Sequence, residues 1–212
     1  VRRYLAALAP LGVEHTDTRI TLRLPAALAG FAAQFFAARG ILLSRPILLV
    51  SLCTTWQSKA WPPERFVAAL AALPETVQIV FLGSTADRRI IEEATAALQK
   101  AWRGTAVSIA GETSLLETAA LMQKATLLLC PDTGPLHIAA AVGLATLSLW
   151  GPTRPTIYGP LHGRNFFIET PYPCAPCCKT RCPHGSNECM RAIETEAVAK
   201  KLREVLPMEK TS

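Results

Sequence analysis

The 212-residue sequence lacks several features that would assign it to a common class. No apolar run reaches the roughly 20 residues that a membrane-spanning helix needs. The net charge is +6, but no run of five Lys or Arg residues occurs and only 7% of the residues are aromatic. This scattered charge does not predict nucleic-acid binding; it predicts a mildly basic surface that faces an anionic ligand or a membrane.

The beginning of the chain carries no signal-peptide pattern, and the cysteines are odd in number. Five of the seven lie within residues 174–189. An odd, clustered set without a secretory signal favours a reducing compartment, so we expect a cytoplasmic protein. The first residue is Val rather than Met, so we expect the natural N-terminus to lie upstream. We interpret residues 1–44 as the last piece of a preceding domain with its linker, and residues 45–212 as one domain.

From residue 45 onward, short apolar runs alternate with amphipathic stretches. The runs predict buried strands, which lie at 47–52, 77–83, 106–111, 126–130 and 145–151. The stretches between them predict helices, and a last helix is expected at 195–206 after a loop-rich segment. Such alternation is typical of an α/β fold: a Rossmann-like parallel sheet with helices on both faces. Ligands of these sheets bind beyond the carboxyl ends of the strands.

The stretch "PDTGPLH" (131–137) follows the fourth predicted strand. Asp132 and Thr133 fall where the strand ends, Gly134 permits close backbone approach, and Pro135 suits the first helical position. The free N–H groups and the dipole of the new helix favour a phosphate, which His137 could also reach. The alternative is ordinary capping by Asp132, Thr133 or both, with a histidine that faces the core.

The stretch "CTTWQSKAWPPERF" (53–66) follows the first predicted strand. Thr54 and Thr55 offer hydroxyl donors and Lys59 offers a positive charge, which are the groups that a diphosphate needs on its flank. The alternative is a solvated loop with an exposed lysine. We expect Trp56 to be a packing residue, with a place beside an adenine as the alternative.

Three stretches occur together in one order: "TTWQSKAWPPERF", "PDTGPLHIAAAVGLATLSLWGPT" and "CAPCCKTRCPHGSNECM". They resemble glycosyltransferase family 9, the ADP-heptose:lipopolysaccharide heptosyltransferase family of Gram-negative bacteria, over about residues 45–206. The resemblance implies a GT-B fold, in which an N-terminal domain binds the acceptor and a C-terminal domain binds the nucleotide-sugar donor across a cleft. This chain resembles the C-terminal half, preceded by a remnant of the N-terminal one.

The resemblance also implies roles for particular residues. The donor diphosphate would be held by Thr54, Thr55 and Lys59 on one side and by Asp132, Thr133, Gly134 and His137 on the other. Thr113 would lie near the adenine, and Asp87 would bind the ribose hydroxyls, unless it is simply the acidic residue of a helix start.

The reaction that the family carries out follows from the same resemblance. It would be an inverting transfer of heptose from ADP-heptose to the lipopolysaccharide inner core on lipid A, with no cofactor and no metal. The general base is expected in the absent N-terminal domain, since nothing before residue 45 matches it, so this fragment alone would be inactive. We expect peripheral contact with the inner face of the inner membrane and no nucleic-acid partner.

The cysteine cluster has the spacing C-x2-C-x4-C-x6-C. Four thiolates can close a tetrahedral zinc site, for which the candidates are Cys174, Cys177, Cys182 and Cys189, with His184 as a further ligand. The alternative is free thiols or occasional disulfides on a Pro-rich loop. Two other functions therefore stay open beside the enzyme: a non-catalytic nucleotide-sugar binding module, and a structural domain built around zinc.

Overall fold

The structure is a computed structural model that describes residues 5–12 and 18–207. Parts of the expected N-terminal remnant, residues 1–4 and 13–17, lie outside the described residues, as do residues 208–212. The strands, which we number in chain order, are β1 (Ile47–Val50), β2 (Gln78–Phe81), β3 (Ala106–Ser108), β4 (Leu127–Pro131), β5 (Thr146–Trp150) and β6 (Asn165–Glu169). The helices are α1 (Phe31–Ala37), α2 (Pro63–Ala71), α3 (Arg88–Ala101), α4 (Leu115–Met122), α5 (Gly134–Ala141), α6 (Pro155–Tyr158), α7 (Glu188–Arg191) and α8 (Thr195–Val205). Single 3-10 turns lie at Ala9–Leu11, Ala26–Leu28, Gln57–Lys59 and Thr85–Asp87.

The six strands form one parallel sheet in the order β3-β2-β1-β4-β5-β6. Strands that are consecutive in the chain are joined by crossover connections, as parallel strands require. This is the strand order of the doubly wound dinucleotide-binding fold. The predicted Rossmann-like parallel sheet is confirmed.

The sheet is buried on both faces, because successive strand side chains point to opposite sides. Leu48 and Val50 of β1 join a core with α2, α3 and α8. Ile47 and Leu49 join a second core with α1, α4 and α5. Strands buried on both sides read as continuous apolar runs, which explains why the central strands β1, β2 and β4 were recognisable in the sequence.

The strand β6 was not predicted, because the sequence there was interpreted as part of a loop-rich segment. It lies at the edge of the sheet, and Phe167 within it is 53% exposed. An edge strand has one neighbour and carries a weaker apolar signal than a central strand. Its register is set by pairing with β5, where Thr146 donates a hydrogen bond to Asn165 at 2.8 Å.

The helix α1 shares the second core with the sheet, through the buried side chains of Ala32 and Phe36. The expected domain boundary at residue 44 stays a prediction. None of the helices in the described part of the chain has the length and apolar character that crossing a bilayer requires.

Candidate functional site

A cavity of about 470 Å³ opens at the carboxyl ends of β1 and β4. These strands are neighbours, but the helices that follow them, α2 and α5, cover opposite faces of the sheet. The chain therefore leaves a crevice at this switch point, which is where open α/β sheets bind ligands. The cavity wall includes Trp56, Lys59, Asp132, His137 and Thr153.

Lys59 and Asp132 form an ion pair at the base of this cavity. The Lys59 Nζ lies 2.7 Å from the Asp132 Oδ2, and the two side chains are only 13% and 8% exposed. Thr153, which is 1% exposed, donates a second hydrogen bond of 2.7 Å to the same oxygen. Because a buried charge is tolerated only when it is paired and hydrogen-bonded, the three side chains depend on one another.

The ammonium of Lys59 also lies over the ring of Trp56, 4.0 Å from its centroid. A cation over an indole face is attracted by the negative face of the ring. Trp56 is half-buried at the cavity wall, where it packs against Lys59 rather than in the core, and its place beside an adenine stays a prediction. Trp61 and Trp150, each 1% exposed, are packing residues of the core.

The first turn of α5 has no side-chain cap. Thr133 is the N-cap residue, yet its side chain makes no capping hydrogen bond, and the Asp132 carboxylate is occupied by Lys59 and Thr153. The prediction of ordinary capping by either residue is therefore wrong. The exposed His137 lines the cavity together with Lys59, and α5 begins two residues after Asp132, so a positive helix end lies close to a lysine, which is an arrangement suited to an anion.

The remaining predicted residues do not line the cavity. Thr54, Thr55, Thr133 and Gly134 belong to the two stretches whose other members form its wall. Thr113 follows β3, where its hydroxyl bonds that of Thr118 at 2.8 Å. The adenine and diphosphate roles of these residues stay predictions.

Asp87 is part of a capping box at the start of α3. Its Oδ2 accepts hydrogen bonds from the backbone N–H and the hydroxyl of Ser84, at 2.9 and 2.6 Å. Burial opposes ionisation of Asp87, but the hydrogen bonds from Ser84 and Cys53 outweigh it and lower its pKa. The helix-start interpretation thus describes what Asp87 does here, and the ribose role stays a prediction.

Two residues of the site were given no role from the sequence. Thr153 lies in the "WGPT" stretch after β5, which ends the second of the three family stretches, but its hydrogen-bond partner could not be read from that stretch. His162 lines the cavity, where its Nε2 bonds the Thr18 hydroxyl at 2.7 Å. The signals available for Thr153 were its position directly after a strand and its place in the motif.

The cysteine-rich segment (residues 174–189) surrounds a second cavity of about 270 Å³. Its wall includes His184 and four cysteines: Cys174, Cys177, Cys182 and Cys189. Each of the four cysteines is a free thiol. Within residues 5–12 and 18–207, no group of three or more His, Cys, Asp or Glu side chains is arranged so that it could hold a metal ion. The zinc hypothesis therefore gains no support from the geometry.

The thiols differ in their environments. The pKa of Cys182 is lowered, because the backbone N–H groups of Asn187 and its neighbours hydrogen-bond the sulfur. Burial, reinforced by the negative charge of Asp87, raises the pKa of Cys53 to about 12. Burial and the neighbouring thiols raise that of Cys189 to about 11.

A doubly wound parallel sheet, with a buried lysine and an uncapped helix N-terminus at the ends of its central strands, defines a Rossmann-like α/β domain. A family model described as glycosyltransferase family 9 (heptosyltransferase) matches residues 1–187, and the chain belongs to this family. The resemblance predicted from the three motifs is confirmed.

Individual relatives agree with this assignment. The chain is 32% identical over 145 residues to lipopolysaccharide heptosyltransferase 1 of Pseudomonas aeruginosa, which covers 68% of this chain and 39% of that protein. It therefore spans well under half the length of this curated relative.

Solved structures match the fold. A glycosyltransferase family 9 protein from Veillonella parvula superposes with a TM-score of 0.80 at 21% identity, covering 96% of this chain and 58% of the other. The ADP-heptose lipopolysaccharide heptosyltransferase II of E. coli superposes with a TM-score of 0.69 at 22% identity. The match covers 87% of this chain and 53% of the other. TibC of enterotoxigenic E. coli, described as iron-containing, superposes with a TM-score of 0.57 at 16% identity. The match covers 92% of this chain and 51% of the other. The predicted half of a GT-B fold is confirmed.

Proposed function

We propose that this chain is the donor-binding half of a heptosyltransferase that uses ADP-heptose. The observation that carries the proposal is the Lys59 ammonium, which is held between Asp132 and Trp56 beside the N-terminus of α5. A diphosphate placed there would meet a fixed positive charge and the positive end of a helix. Both favour an anion, and their positions are set before the ligand arrives.

The other donor contacts follow from the positions around the cavity. Thr54 and Thr55 would donate to phosphate oxygens from the β1 side, and Thr133, Gly134 and His137 would do so from the α5 side. Asp87 and Thr113 follow β2 and β3, so the ribose and adenine would extend toward that end of the sheet. The heptose would then lie toward the wall formed by Thr18 and His162.

The transfer itself needs a second half that binds the acceptor, the lipopolysaccharide inner core on lipid A, at the inner face of the inner membrane. A base from that half would deprotonate an acceptor hydroxyl, which attacks the anomeric carbon and inverts it while ADP leaves. Lys59 and the helix N-terminus would stabilise the leaving diphosphate, a task that a divalent metal performs in other enzymes. No nucleic acid takes part.

The metal independence of this reaction is open to direct measurement. TibC is described as iron-containing, whereas in the part of this chain that the structure describes the cysteines do not form a group that could hold a metal ion. We expect purified protein to bind ADP equally well before and after treatment with a chelator. A loss of ADP affinity that added iron or zinc restores would contradict this expectation.

Calorimetric titration with ADP, UDP and GDP tests the proposed function. We expect ADP to bind preferentially, and Lys59→Ala to weaken it about tenfold to a hundredfold, since a hydrogen bond to a charged group contributes about 1.5 to 3 kcal/mol. Lys201→Ala is the matched control, because it removes the same charge from an exposed pair with Glu204 outside the cavity. A folded protein that binds no nucleotide, or loses equal affinity in both variants, would overturn the proposal.

A further inference from the structure

We propose that the cysteine-rich segment positions Lys59, and that Ser58 and Asn187 are the positioning residues that connect the two. This inference rests on the proposed function, because it assigns the segment a role in preparing the donor site. The segment lies behind the site, and its own cavity does not include Lys59 or Asp132.

The first part of the argument is the way the segment holds the 3-10 turn Gln57–Lys59. The backbone N–H of Ser58 donates to the Thr180 carbonyl at 3.2 Å, and its hydroxyl donates to the Lys179 carbonyl at 2.5 Å. The Asn187 side-chain amide donates to the Gln57 carbonyl at 2.6 Å. Two of the three residues in this turn are thus bonded to the segment, and the third is Lys59.

The second part is that the segment also contacts the strand exit that carries Thr153. The Cys178 N–H donates to the Pro152 carbonyl at 2.9 Å. At Gly151, a Cβ would lie 2.8 Å from the Met190 Sδ and 3.0 Å from the Cys189 Sγ, so α7 packs directly against the backbone there. The segment therefore supports both stretches whose side chains meet on Asp132.

The turn Gln57–Lys59 needs such support. It has three residues and no side-chain cap, and a single 3-10 turn has poor hydrogen-bond geometry of its own. Lysine also loses much rotamer freedom when its ammonium is fixed. Bonds that hold the backbone of the turn in advance reduce the ordering that ligand binding would otherwise require.

Two residues of the segment have a backbone conformation that is unfavourable for residues other than glycine, which is consistent with this role. Asn187 and Cys178 have φ values of 52° and 53°, in the left-handed region that favours glycine. Asparagine tolerates this region, whereas it is uncommon for cysteine. Both residues make one of the connecting hydrogen bonds, Asn187 to the turn and Cys178 to Pro152. Such conformations persist where the surroundings over-determine them.

Two variants each delete one side-chain hydrogen bond between the segment and the turn Gln57–Lys59. Asn187→Gly keeps the left-handed backbone and deletes the amide donor. Ser58→Ala deletes the hydroxyl of a residue that is 2% exposed. We expect each to weaken ADP binding about threefold to tenfold, as the loss of an ordinary net hydrogen bond would. Thr95→Val is the matched control: it removes an equally buried hydroxyl, bonded to Ile91 at 2.7 Å within α3, and should leave ADP affinity unchanged.

A double-mutant cycle separates positioning through Lys59 from general loosening. In a Lys59→Ala background, Asn187→Gly should change ADP affinity less than about twofold, because the group that it positions is gone. Equal losses in both backgrounds would overturn the inference while leaving the proposed function intact. If Lys59→Ala itself had no effect on ADP binding, the proposed function would fail instead.

Hydrogen exchange without ligand supplies an independent readout. Amides of residues 54–61 should exchange faster in Asn187→Gly and Ser58→Ala than in the wild type, and Thr95→Val should leave them unchanged. Unchanged exchange in both segment variants would show that the turn holds itself, and would also overturn the inference.

Discussion

Removal of the Lys59 ammonium should reduce the free energy of unfolding as well as ligand affinity. The pair with Asp132 is 2.7 Å long and nearly buried. At an effective dielectric constant of about 20, two unit charges at this distance attract by about 6 kcal/mol, much of which offsets the desolvation of the two groups. Breaking a buried pair costs about 3 to 5 kcal/mol. Because Thr153 still donates to the carboxylate, we expect about 2 to 4 kcal/mol for Lys59→Ala.

The assay is urea unfolding of the reduced protein, followed by tryptophan fluorescence, since Trp61, Trp102 and Trp150 are buried in the folded state. The Lys59→Met, Asp132→Asn double variant should lie within about 1 kcal/mol of the wild type, since it replaces both charges by neutral groups of similar size. The exposed pair of Lys201 with Glu204 is the control, for which Lys201→Ala should cost below about 0.5 kcal/mol. The reasoning would be refuted if the losses in unfolding free energy at Lys59 and Asp132 simply added in the double variant. It would also be refuted if Lys59→Ala cost no more unfolding free energy than Lys201→Ala.

Three further predictions concern other parts of the chain. Iodoacetamide at neutral pH should label Cys182 well before Cys53, because the pKa of the first thiol is lowered and that of the second is raised to about 12. Mass spectrometry of the labelled peptides would show the order of labelling. Faster labelling of Cys53 would contradict the prediction. Asp87, whose pKa is lowered by Ser84 despite the opposing effect of burial, should stabilise the protein fully above about pH 4 and progressively less as the pH falls through its folded pKa. The difference in unfolding free energy between the wild type and Asp87→Asn should therefore shrink in acid, and a constant difference would speak against this cap. Gly151→Ala should destabilise the protein by about 1 to 3 kcal/mol in urea unfolding, since the new methyl would meet sulfur atoms of α7 at 2.8 and 3.0 Å; a neutral effect would mean that α7 shifts freely.

Several parts of the fold were accessible from local pattern alone. The strands β1 and β4 are apolar throughout, and β2 is apolar apart from Gln78, because both faces of a central parallel strand are buried. A helix start is also determined locally where a side chain caps the backbone, as Ser114 does for α4 by accepting a hydrogen bond from the Glu117 N–H. The edge strand β6 was not recognisable, since half of its surface faces solvent.

The candidate site was predictable in its location but not in its connections. Lys59 and Asp132 were each identified because they follow strands, yet their contact requires β1 to lie beside β4. Local periodicity carries no information on which strands are neighbours. For the same reason Thr153 went unnoticed, although it donates to Asp132 from the end of β5. Trp56 was assigned to packing because its place under the lysine depends on how the turn Gln57–Lys59 is held.

The sequence by itself determined the class of the protein: the alternation of buried strands and helices, the polar stretches at the strand ends, and the three motifs of glycosyltransferase family 9. Those features are local, so each is written in a few consecutive residues. The tertiary structure alone decided which groups meet at the site, namely the lysine, the carboxylate, the threonine and the tryptophan. It also decided that the cysteine-rich segment contacts both the turn Gln57–Lys59 and the strand exit at Pro152. Both depend on strand order and on contacts between distant parts of the chain, which only the folded protein brings together.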